Sequence, residues 1–68
     1  MENEIYMQFD GLSGERDPER IIKRLSRIPG LEMVELDPES GRLRLIGGDI
    51  DPYFVADTLE SFGYPQIR

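Results

Sequence analysis

Two pairs of acids are the first residues here whose type and spacing could do chemistry. Glu15 and Asp17 stand two apart in GLSGERDPERII, and Asp49 and Asp51 stand two apart in IGGDIDPYFV. Closely spaced carboxylates suit a hard divalent cation. Calcium, however, asks for six or more oxygen ligands, and neither pair follows the twelve-residue EF-hand loop. The ordinary reading is an N-cap and a neighbouring acid at a helix start, both favoured by the helix dipole. Glu15 and Asp17 stand as weak candidates for a hard-metal site. Met1, Met7 and Met33 are scattered along the chain, a pattern of packing and not of a thioether site for Cu(I).

The 68 residues include no cysteine and no histidine. Thiolate binding of Cu(I) or Zn(II) is therefore excluded, as are imidazole ligands and catalysis of the Ser-His-Asp or Cys-His kind. Ser13, Ser26, Ser40 and Ser61 have no base to activate them, which points away from an enzyme. No cofactor is called for. GLSG and IGGD could offer backbone N–H groups to an anion, but they match neither the P-loop nor the dinucleotide fingerprint. Fourteen acids against eight basic residues leave a net charge of −6, which disfavours nucleic acid as a partner. Lys23, Arg24 and Arg27, with Arg16 and Arg20 upstream, gather around one helix. A solvated face is the simple reading of that cluster, and a docking patch for an acidic partner is the alternative. No apolar run approaches the roughly 18 residues of a membrane span, and MENEIYM lacks the apolar core of a signal peptide. A cytoplasmic protein with no membrane contact is expected.

A chain this short makes a single domain, residues 1–68, with a small core. Ile5, Met7 and Phe9 alternate with Tyr6 and Gln8, a half-buried first strand. Asp17-Pro18 starts a helix, with Asp17 as N-cap and proline at its first position. Ile21, Ile22, Leu25 and Ile28 share one helical face, and Pro29-Gly30 ends it. Leu31 to Leu36 and Arg42 to Ile46 are strands about the hairpin loop Asp37–Gly41. Asp51-Pro52 repeats the helix start, with Val55, Ala56, Leu59 and Phe62 as the buried face. Gly63 then caps the helix, and Tyr64-Pro65 leads to a short last strand at Ile67. The two halves echo each other: Ile21 aligns with Val55, Leu25 with Leu59 and Ile28 with Phe62. The order predicts an α+β, ferredoxin-like βαββαβ two-layer sandwich, with both helices on one face of an antiparallel four-stranded sheet. The open face would carry Tyr6, Gln8, Met33, Glu35, Arg42 and Arg44.

Three phrases, in this order and spacing, resemble the heavy-metal-associated domain of copper chaperones and metal-pumping ATPases. Gly11-Leu12-Ser13-Gly14-Glu15-Arg16-Asp17 stands where the family has Gly-Met-Thr-Cys-x-x-Cys. Ile28-Pro29-Gly30-Leu31 matches its Leu-Pro-Gly-Val, and Phe62-Gly63-Tyr64 matches its apolar residue before Gly-Tyr. The likeness covers nearly the whole chain. It implies a metal-delivery scaffold in which Gly14 and Asp17 have replaced the CxxC ligands. It also implies that Tyr64 lies beside the loop, as a packing lid or a partner contact.

The function expected is a protein-docking or regulatory module that has lost its metal, acting on a protein partner or a second copy. Its contact residues would be Leu12, Ser13, Gly14, Glu15, Arg16 and Tyr64. One alternative is metal binding or trafficking through a reworked site. Another uses the open sheet face, with Tyr6, Met33, Arg42 and Arg44, for a homodimer or for single-stranded RNA.

Overall fold

The computed structural model describes residues 3–67. Alternation of apolar and polar residues produces β1 (Asn3–Gln8), β2 (Leu31–Asp37) and β3 (Arg42–Gly47). Both pairings are antiparallel, in the order β1-β3-β2. Leu43 and Leu45 of the central strand are fully buried. Leu45 lies between Ile5 and Val34, and Leu43 between Met7 and Leu36. The alternate positions form the opposite face, where Tyr6, Arg44 and Glu35 share one row. An irregularity between Leu31 and Met33 shifts the register at the start of β2.

Both helices begin at a proline, α1 at Pro18–Leu25 and α2 at Pro52–Ser61. They bury Ile21 and Leu25, and Val55, Thr58 and Leu59. The apolar side chains among these join Met7, Phe9, Leu12 and Ile50 in a single cluster. Each fully buried Leu or Ile contributes about 1.5–3 kcal/mol. The α-helix of α1 stops at Leu25, a turn before the expected Ile28, whose N–H still bonds the Leu25 carbonyl at 2.9 Å. Ile28 thus reaches the core from the closing turn.

The chain then makes a close backbone crossing. Gly30, at φ 92°, accepts a hydrogen bond from Gly48 N–H at 3.0 Å. A Cβ at Gly47 would fall 1.9 Å from the Gly30 carbonyl oxygen, so only glycine lets this turn lie against the end of β3.

The expected four-stranded sheet is realised among the described residues as three strands and a bridged segment. Gln66 forms an isolated antiparallel bridge with Phe9. Asp10 N–H bonds the Pro65 carbonyl at 2.8 Å, and Ile67 N–H bonds that of Gln8 at 2.9 Å. The segment thus lies on the β1 edge, where a fourth strand was expected. Pro65 brings no N–H to a ladder, which keeps the pairing short.

Candidate functional site

The loop between β1 and α1 begins at Gly11, whose φ of 83° turns the chain into a 3-10 turn, Leu12–Gly14. Leu12, 1% exposed, drives this turn into the core. It is the floor of the loop and not a contact residue, which corrects its place among the docking candidates. Ser13, Gly14 and Arg16 lie at the surface. A Cβ at Gly14 would meet nothing within 4 Å, and Gly14 has no positive φ, so the backbone there does not require glycine.

Glu15 organises the rest of the loop and the entry to α1. Its side chain is only 8% exposed, and both its oxygens are engaged. One accepts the Asp17 N–H at 3.0 Å; the other accepts the Tyr64 hydroxyl and an Arg20 guanidinium N–H at 3.4 Å. The Tyr64 ring packs over Gly11, 3.6 Å from where a Cβ would sit. The Tyr64 hydrogen bond, the Asp17 N–H and Arg20 together hold the Glu15 carboxyl below the usual carboxylate range. The same hydrogen bond to Glu15, with burial and the negative charge beside it, pushes the Tyr64 phenol above its ordinary value.

Asp17 occupies the N-cap position of α1 but its side chain makes no capping bond. This corrects the expectation drawn from Asp17-Pro18. Asp51, in the matching position, does cap α2, accepting from the Tyr53 N–H at 2.9 Å and the Phe54 N–H at 3.4 Å. At α1 it is Glu15 that accepts the Asp17 N–H, which ties the entry of the helix to Tyr64.

The open-face candidates come together on the other side of the sheet. The Arg42 guanidinium lies 4.8 Å from the centre of the Tyr6 ring. Arg44 bonds Glu4 at 2.6 Å and Glu35 at 2.9 Å. Met33 is one row along, opposite Ile46. A shallow depression of about 210 Å³ lies over Tyr6, Glu35 and the two arginines.

Two features escaped the sequence reading. Thr58 is buried, with its hydroxyl donating to the Phe54 carbonyl at 2.9 Å. Phe62 is half-buried, with the Arg20 guanidinium 5.1 Å from its ring centre, so it joins the basic residues of α1 instead of only closing the core. Nothing but proximity reveals that pairing.

Among the described residues, no group of three or more carboxylates lies close enough to hold a metal ion. A soft metal cargo finds no thiolate or imidazole in the chain.

The architecture is that of metallochaperone-like ferredoxin folds. It superimposes on oxidized MerP from Ralstonia metallidurans CH34 with a TM-score of 0.84 at 16% identity, over 98% of this chain and 96% of that one. The corresponding values for the CsoZ metallochaperone are 0.87 and 14%, over the whole of both chains. For the water-soluble region of the P-type ATPase CopA from Bacillus subtilis they are 0.82 and 23%, over 98% of this chain and 46% of that one. In sequence, the chain is 35% identical over 49 residues to heavy metal-associated isoprenylated plant protein 1 of Arabidopsis thaliana. That match takes in 72% of this chain and 20% of the plant protein, so the chain spans about a fifth of that relative's length. No protein-family profile matches the chain. The resemblance to heavy-metal-associated domains is borne out, with Gly14 and Asp17 where the family pattern has its two cysteines.

Proposed function

We propose that this is a non-enzymatic, cytoplasmic single domain, residues 1–68, that docks on a protein partner through a loop that once held a metal. The observation that carries this reading is the closed Glu15 network. Asp17 N–H, Arg20 and the Tyr64 hydroxyl converge on one carboxylate and link the former metal loop to its neighbour without an ion. A loop ordered by its own side chains keeps a defined outer surface: Ser13, Gly14, Arg16 and the exposed edge of Tyr64. Chaperone-type domains work by such surface contact, so a surface can outlive its cargo.

The alternative of a reworked metal site at Glu15 and Asp17 is weakened by the same network. A cation would have to displace three donors from Glu15. RNA binding on the open face is weakened by Arg42, which lies over the ring of Tyr6 where a base would stack, and by the glutamates that hold Arg44.

The test is a titration with Cu(I), Zn(II) and Ca(II), followed by backbone amide NMR, on the natural chain and on Gly14→Cys/Asp17→Cys. The natural chain is expected to show no saturable shift. The double variant is expected to bind one thiophilic ion, because its thiolates would sit beside the N-terminus of α1, where thiol pKa values fall. Saturation of the natural chain near one equivalent, with Gly11 to Asp17 and Tyr64 shifting together, would overturn the proposal.

A further inference from the structure

The charges of the helix layer are sorted. Residues 16–27 carry five of the eight basic residues of the chain, and α2 carries none. Arg20, Lys23, Arg24 and Arg27 surround a groove of about 190 Å³ whose apolar wall is Phe62. On the far side of α2, Tyr53, Asp57 and Glu60 line a second depression of about 300 Å³, closed by Pro65 and Gln66. These three residues recur at i, i+4 and i+7, so they share one face of the helix. Tyr53 is 81% exposed. No basic residue occupies the last turn of α2, and Glu60 lies near the negative end of the helix dipole. A cationic neighbour would relieve that arrangement. The molecule carries such a surface beside it, since α1 and α2 touch.

We propose that two copies of this chain associate face to face through their helix layers, α1 of each against α2 of the other. A two-fold axis in the contact plane, between the helices, satisfies both pairings at once, as an isologous interface requires. Arg24 and Lys23 of one copy then oppose Asp57 and Glu60 of its partner, because Arg20 beside Phe62 sets the two helices antiparallel, and the exposed Tyr53 ring offers a face to a guanidinium. The inference stands apart from the loop reading, because neither the opposed pairs nor the variants that test them include a residue of the loop or of the Glu15 network.

The net charge of −6 on each copy works against association. That repulsion is spread over the molecule and is screened beyond about 8 Å at physiological salt, whereas the helix pairs act at contact distance. Exposed pairs are individually weak, so the dimer is modest and salt-sensitive.

Sedimentation equilibrium at near-millimolar concentration tests this. The average mass is expected to exceed the 7.8 kDa monomer at about 0.1 M salt, with the dissociation constant at least roughly tenfold weaker at about 1 M. Lys23→Glu/Arg24→Glu and Asp57→Lys/Glu60→Lys are each expected to stay monomeric alone and to associate when mixed. Should the first variant fail to fold, Lys23→Ala/Arg24→Ala replaces it, with association alone expected to be lost. A natural chain that is monomeric throughout overturns the proposal, and leaves the basic face for a foreign acidic partner. A dimer that ignores both charge changes also overturns it, and moves the contact to the open sheet face. A mixture of reversed variants that stays monomeric removes the two-fold pairing.

Discussion

Glu15 draws three donors from separate parts of the chain onto one carboxylate, and this makes its protonation a stability matter. Its folded-state pKa lies below the ordinary glutamate value of about 4.3. The stabilisation is therefore complete above that value and is lost as pH falls through the depressed one. Glu15→Gln is expected to lower the melting temperature at neutral pH and to flatten its decline below about pH 4. Tyr64 carries the opposite sign. Its pKa is raised, so its contribution is complete below the ordinary tyrosine value of about 10 and is lost as pH rises through the higher one. Tyr64→Phe is expected to remove that alkaline decline in a thermal melt series. The sequence places Glu15 and Tyr64 near each other only through the family resemblance. Spacing alone ranks Glu15 and Asp17 as equals, because local rules favour aspartate before proline and cannot see a phenol 49 residues away.

Helix entry is solved twice in this chain, in two ways. The Asp-Pro phrases stand 34 positions apart (52 minus 18 for the prolines), and both helices start where that phrase predicts. Only Asp51 caps with its own side chain. Asp51→Ala is expected to cost about 1 kcal/mol, or about 4–8 °C in melting temperature for a chain of this size. Asp17→Ala is expected to change stability much less, since the bond that orders the start of α1 runs from its backbone to Glu15. Paired thermal melts compare the two directly. The strands were legible because period-two alternation states which side chains turn inward, as Leu43 and Leu45 do. The last strand was legible in place but not in extent, because a proline and two backbone hydrogen bonds sustain only a bridge there.

Across the whole molecule, order should grade from the central strand outward. β3 is paired on both sides and carries two fully buried leucines, whereas residues 65–67 are held to the β1 edge by one bridge and two backbone hydrogen bonds. Hydrogen exchange is expected to be slowest in β3, approaching the global unfolding limit, and fast at Gln66 and Ile67. Equal protection in both regions would contradict this reading of the sheet. The overall architecture was readable because apolar periodicity, turn glycines and helix starts all agree on it. The sorting of charge between α1 and α2 was half visible, as a basic cluster without its acidic counterpart, since nothing in the local sequence says that Asp57 and Glu60 share a depression with Pro65 and Gln66. The Tyr64 contact also makes the molecule its own optical probe. With no tryptophan in the chain, ultraviolet emission comes from its three tyrosines. A phenol held against a carboxylate loses its excited-state proton and is quenched. Any partner that lifts Tyr64 from Glu15 would therefore be signalled by a brightening of tyrosine fluorescence, with no label attached.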